Sequence, residues 1–107
     1  MDAWEIDTLI AETAGDMRRY REFVQRPTMS AGIFILPAGS PDNHSPHDRD
    51  ELYYVVRGRG TLQVAGEDRA VTVGSTMFVA AAVEHHFHSI TEELVILVFF
   101  GGEIPAP

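Results

Sequence analysis

From residue 32 onward the chain alternates short apolar runs with Gly, Pro and acidic turn residues. The runs recur every roughly 8–12 residues, the rhythm of many short strands. They predict strands at 33–36, 51–57, 60–64, 69–73, 76–79, 85–90 and 94–100. The predicted breaks are Pro37-Ala38-Gly39-Ser40-Pro41, Gly58-Arg59-Gly60, Ala65-Gly66-Glu67-Asp68, Gly74-Ser75 and Thr91-Glu92-Glu93. No helical pattern long enough for a βαβ crossover follows residue 30, so the pattern predicts an all-β sandwich or barrel and not a parallel α/β sheet. Ahead of it, Trp4, Ile6, Leu9, Ile10 and Ala14 approximate a helical stripe that stops at Gly15. Residues 16–30 read equally as a strand or a second helical turn, ended by Pro27. The run 94–100 is apolar at both parities. One face must enter the core, and the other must be covered by the N-terminal segment or a second subunit.

Composition then removes whole classes of chemistry. The chain has 107 residues, one domain's worth, with a formal net charge of -8. Without Cys there is no disulfide framework, thiolate zinc site or thiol nucleophile, and without Lys no Schiff base and no P-loop lysine. An acidic chain with scattered Arg speaks against nucleic acid, and the longest apolar run is far short of a membrane span. The start, Met-Asp-Ala-Trp-Glu, has no basic or long apolar leader region, so a cytoplasmic location is expected.

The five histidines fall in two windows: His44 and His47, then His85, His86 and His88. Each window lies at a strand edge, where a barrel brings distant segments together. Imidazole with carboxylate is the usual donor set for Zn, Fe, Mn, Ni or Cu. Strand alternation sorts the candidates. If Glu51 faces inward, so do Tyr53, Val55 and His47. His44 has the opposite parity and joins them only through a loop or bulge, for which Pro46 marks a place. Val83, His85 and Phe87 share one face and Glu84, His86 and His88 the other; the apolar pair marks the His85 face as the buried one. Parity thus selects His47, Glu51 and His85, with His44 fourth and His86 and His88 at the rim or in solvent. A lone strand histidine is more often a surface or core residue than a ligand; five in two windows, with a carboxylate nearby, weigh toward a metal site. Asp42, Asp48 and Asp50 read as turn carboxylates, Asp42 being a distant ligand candidate. Tyr53, Tyr54, Phe34, Phe78, Phe87 and Phe99 read as core or pocket wall, and Arg57 and Arg59 as exposed hairpin charges.

These windows resemble the two motifs of the cupin superfamily, and in particular its small single-domain members. Glu51 and Gly58 stand at the interval of the first motif, and His47 precedes Glu51 at the interval of its second His. Ser45 occupies the place of the first His, with His44 one position early. Gly74 and His85 fit the second motif, in which Ala80 and Ala82 replace its Pro and Gly. The resemblance covers about residues 32–100. It implies a jelly-roll β-barrel (a double-stranded β-helix) with a short N-terminal helix, one cupin domain over 1–107. Residues 1–31 would form the helix and lead-in strand, 32–100 the barrel and 101–107 a tail. It also implies a homodimer and a divalent transition metal, Fe, Zn, Mn or Ni, held by His44, His47, Glu51 and His85.

The fold hosts many activities. The expected function is a metal-dependent enzyme, of isomerase, lyase or dioxygenase type, acting on a small polar organic substrate. In it Glu51 serves as ligand or base, and Tyr53 and His86 or His88 as neighbouring proton donors. The alternative is a non-catalytic module that binds or senses a small molecule or a metal. Metal-free acid–base catalysis by a His–carboxylate pair is a third reading, disfavoured because only Arg57 and Arg59 would serve a nucleotide-sugar pocket.

Overall fold

A computed structural model describes residues 1–16, 19–42 and 46–102. Helix α1 (Ile6–Ala14) is followed by strands β1 (Tyr20–Arg26), β2 (Met29–Leu36), β3 (Asp50–Val64), β4 (Glu67–Val71), β5 (Thr76–Val79) and β6 (His85–Gly101). The strands form one antiparallel sheet in the order β1-β2-β6-β3-β4, with β5 also paired to β3. The result is the expected all-β barrel with a short N-terminal helix. The ambiguous 16–30 segment contains a strand, β1, ended by Pro27 as anticipated.

Two predicted breaks are not breaks. The 51–57 and 60–64 runs are one strand, β3, and 85–90 and 94–100 are one strand, β6. At Gly58-Arg59-Gly60 the chain bends within the ladder: the register slips between Val55 and Thr61 and Gly58 takes φ +98°. A Cβ at Gly58 would run into the Glu93 carbonyl, so only glycine allows the two backbones to approach here. Arg59 and Glu92, apparent turn charges, face each other across the bend at 3.8 Å. Arg57 and Arg59 are exposed, but on a bent strand and not on a hairpin.

The bends also reset which residues face inward. In β3 the buried positions change from Glu51, Tyr53 and Val55 to Leu62. In β6 they change from His85 and Phe87 to Ile90, Leu94, Ile96, Val98 and Phe100, with Ser89 at φ +51° between the two phases. One extra residue in a strand shifts every later side chain to the other face. His85 and Phe100 therefore both point into the same barrel despite opposite parity.

The barrel core joins Tyr53, Val55, Leu62, Phe87, Leu94 and Ile96 with their neighbours. The second apolar face of 94–100 is covered by α1: Leu9 packs with Ile33, Ile35 and Val95. Of the two covers the sequence allowed, the N-terminal helix is the one in place for that part of the strand. Farther along the outer surface, Leu52, Tyr54 and Phe78 remain exposed, so Tyr54 and Phe78 are not the core or pocket wall their type suggested.

Candidate active site

Alternation along β3 turns Glu51 and Tyr53 inward, each only 1–2% exposed. Across the barrel, the first residue of β6 places His85 against them at 3% exposure. Glu51 Oε2 lies 2.8 Å from His85 Nε2 and accepts from the Tyr53 hydroxyl at 3.2 Å; that hydroxyl is also 2.9 Å from His85 Nε2. His85 Nδ1 stands 2.8 Å from the Val83 carbonyl, which fixes Nδ1 as the protonated nitrogen and aims Nε2 at the cluster. His47, half-exposed at the mouth, brings Nε2 to 3.3 Å from Glu51 Oε1. That approach lacks hydrogen-bond geometry, so among the described residues the buried Oε1 has no hydrogen-bond partner.

The environment sets the protons. Burial alone would keep His85 neutral, but its hydrogen bonds to Glu51 and to the Val83 carbonyl, with the charges of Glu51 and Asp42, outweigh it and raise the imidazole pKa. Burial, then the adjacent Glu51 charge, raises the Tyr53 pKa, so it is a neutral phenol throughout the physiological range. Tyr20, across the pocket, is pushed up to about 12 by burial and by Glu22 and Glu51.

The cluster forms the wall of a cavity of about 1010 Å³, lined elsewhere by Phe34, Leu36, Val98 and Phe100. Its donor set, two imidazole Nε2 atoms around a buried carboxylate with an unsatisfied oxygen, has the chemistry of a site for a divalent transition metal. As the side chains stand, no three His, Cys, Asp or Glu groups among the described residues are spaced to hold an ion together. His44, the fourth candidate ligand, lies outside the described residues.

His88 is not brought to the cluster. It lies on the opposite face of β6, with Nε2 2.8 Å from Asp68 Oδ1 and its ring beside that of His86. Hydrogen bonds from His88 and Gln63 hold the exposed Asp68 carboxyl below its usual range. The reason is alternation: a residue an odd number of positions from His85 faces away within this stretch. Asp42 Oδ2 accepts the Phe87 N–H at 2.8 Å and Asp50 Oδ1 the Ala81 N–H at 2.9 Å, the turn-carboxylate roles expected of them. In the second window the turn that delivers His85 is closed by Ala82, at φ +64°, whose N–H reaches the His47 carbonyl at 2.6 Å.

Arg49 and Tyr20 are among the pocket residues that the sequence reading did not single out. Arg49 shares the parity of His47 and Glu51, a signal that was available. Tyr20 comes from a segment whose secondary structure was ambiguous, so nothing local pointed to it.

Residues 32–101 match the profile of the cupin domain family. The chain is a cupin. An uncharacterized protein of Streptomyces coelicolor is 42% identical to it over 100 residues, covering 94% of this chain and 95% of the relative. Among solved structures, TT1209 from Thermus thermophilus superposes with a TM-score of 0.77 at 18% identity, covering 95% of this cupin and 98% of that chain. The DMSP lyase DddQ from Ruegeria pomeroyi gives a TM-score of 0.74 at 17% identity, over 82% of this cupin but only 48% of the lyase. At these identities the structural matches speak for the fold. No helix among the described residues is long and apolar enough to cross a membrane.

Proposed function

We propose that this cupin is a metal-dependent enzyme acting on a small polar organic substrate, in an isomerase, lyase or dioxygenase type of reaction. His47, Glu51 and His85 hold a divalent transition metal (Fe, Zn, Mn or Ni), with His44 as fourth donor. The observation that carries this reading is the buried Glu51 carboxylate, flanked by two imidazole Nε2 atoms and left with an unsatisfied Oε1 in the wall of a large pocket. That a lyase shares the fold is compatible with it. When bound, the metal would supply a Lewis acid or, as Fe(II), a centre for dioxygen activation.

The chain's own groups have defined tasks. His85, anchored through Nδ1 to Val83, presents Nε2 at a fixed angle. Its proton and a metal ion compete for that atom, so metal uptake releases a proton and weakens as the pH falls through the raised His85 pKa. Tyr53, kept neutral, holds a transferable proton between Glu51 Oε2 and His85 Nε2 and can offer it to a substrate oxygen. The apolar wall around Phe34 and Val98 limits water near that proton.

Elemental analysis of the purified protein, followed by metal titration of the stripped protein, tests the reading. One equivalent of a transition metal is expected in the wild type, with loss of uptake in His47→Ala and His85→Ala. Absence of stoichiometric metal, or unchanged uptake in both variants, overturns it. Ligand stabilisation by a metabolite library without turnover would establish the binding module instead.

A further inference from the structure

Resting on the reading of this pocket as a substrate site, we infer that it selects a small organic acid and that Arg49 receives the carboxylate. Arg49 lies between His47 and Glu51, in the bend just ahead of β3, and all three line the same cavity. Its hydrogen bonds all go to neutral oxygens. Nη1 donates to Ser30 Oγ at 3.1 Å, and Nη2 to the carbonyls of Gly102 at 3.0 Å and Phe100 at 3.5 Å. Nε is buried and has no acceptor among the described residues. A guanidinium has five N–H donors, so the chain does not use up this one.

The nearby carboxylates are engaged elsewhere: Glu51 through Oε2 to His85 and Tyr53, Asp42 to the Phe87 N–H, and Asp50 to the Ala81 N–H. A partly buried cation held only by neutral groups carries an electrostatic cost that an incoming anion relieves. With Nη2 donating twice and Nη1 once, a second Nη1 proton is left for a charge-assisted hydrogen bond to an incoming carboxylate. Arg19 and Arg26 on the rim add positive charge, while the exposed Glu22 and Asp48 offset it, so the selectivity falls to Arg49.

Phe100 ties the two ends of the pocket together. Its ring meets His47 edge-on at 4.9 Å between centroids, and its carbonyl faces Arg49. A ligand of a few carbons would place its carboxylate at Arg49 and its remaining oxygen at the His47–Glu51–His85 cluster. A single guanidinium suits a monoanionic carboxylate better than a phosphate dianion, which calls for several charged donors.

The test is calorimetric titration of the full chain with lactate, succinate and 2-oxoglutarate, with lactamide and succinamide as neutral counterparts and glycerol 3-phosphate as the competing anion. Metal uptake is measured on the same samples. At least one carboxylate should bind, and Arg49→Gln should weaken it by about tenfold or more, the worth of one charge-assisted hydrogen-bonded contact, while leaving metal uptake intact. Arg49→Lys should fall between the two, and Ser30→Ala, which removes one tether of the guanidinium and no charge, should stay near wild type. If Arg49→Gln does not fold, Arg49→Lys and the amide comparison carry the test. Equal binding of the amides, unchanged carboxylate affinity in a folded Arg49 variant, or tighter binding of glycerol 3-phosphate overturns the inference. Those results with metal uptake intact refute only the carboxylate assignment; failure to take up metal refutes the metal reading of the site.

Discussion

Replacing Glu51 by Gln removes a charge from the buried cluster while keeping its shape, and the consequence should reverse with pH. Glu51 and His85 are both nearly inaccessible to water and 2.8 Å apart. The raised His85 pKa means that the folded protein binds a proton more tightly than the unfolded chain, whose imidazole titrates near 6.5. Its contribution to stability is therefore fully present below about 6.5 and is lost as the pH rises through the folded-state value. At pH 5.5 the variant must bury an unpaired imidazolium or strip its proton. Stripping it costs about 1.4 kcal/mol relative to the unfolded chain, one pH unit below the reference value. Loss of the charge-assisted bond costs about 1.5–3 kcal/mol, offset in part because a buried carboxylate with an unsatisfied oxygen is itself unfavourable. The net expectation is a loss of about 2–3 kcal/mol at pH 5.5, a fall in Tm of roughly 10 °C or more for a chain of this size. Above the folded-state value the imidazole is neutral, and there, at the alkaline end, the same substitution should be neutral or stabilising by up to about 1 kcal/mol. Thermal unfolding of both proteins in excess chelator, at pH 5.5 and pH 9, measures the difference directly. A penalty that is equal at the two pH values, or larger at pH 9, would refute the His85–Glu51 ion pair as the origin of the effect.

Gly58→Ala should cost about 2–4 kcal/mol in denaturant unfolding, because its Cβ would meet the Glu93 backbone and its φ is positive; a loss below about 1 kcal/mol would show that the bend relaxes freely. Ala82→Gly should raise stability by about 0.5–1 kcal/mol, since relief of a left-handed alanine exceeds the added freedom of the unfolded chain; a drop in the denaturation midpoint would contradict this. Leu9→Ala should cost about 2–4 kcal/mol and loosen the helix against β2 and β6, visible as faster amide exchange at Ile33, Ile35 and Val95; unchanged exchange there would show that α1 is not needed as the cover.

The inward placement of Glu51, Tyr53 and His85 was legible in the sequence because each lies within a stretch of unbroken alternation, where parity alone fixes the face; His47 stands ahead of β3, where alternation does not hold, and is half-exposed. The buried strands, the turn glycines and the helical stripe before Gly15 were legible for the same reason: each signal is local. What local signals left open was decided by pairing. Gly58-Arg59-Gly60 and Thr91-Glu92-Glu93 have turn composition, yet they face each other across two long strands, and the ladder on either side carries the chain straight through. Only that pairing shows that the inward phase resets in β3 and β6, which brings Phe100 and His85 to one barrel interior. His88 has the right chemistry and stays outside, because burial is a property of a face and not of a residue type. Arg49 acquired its meaning in the same way: its sequence neighbours are acidic, but the fold turns it among neutral oxygens beside the pocket. Sequence thus determined which side chains share a face, through the two-residue period of a strand. Tertiary structure decided which faces meet, because strand register and bends depend on partners far along the chain, as when Arg49 reaches the Phe100 carbonyl.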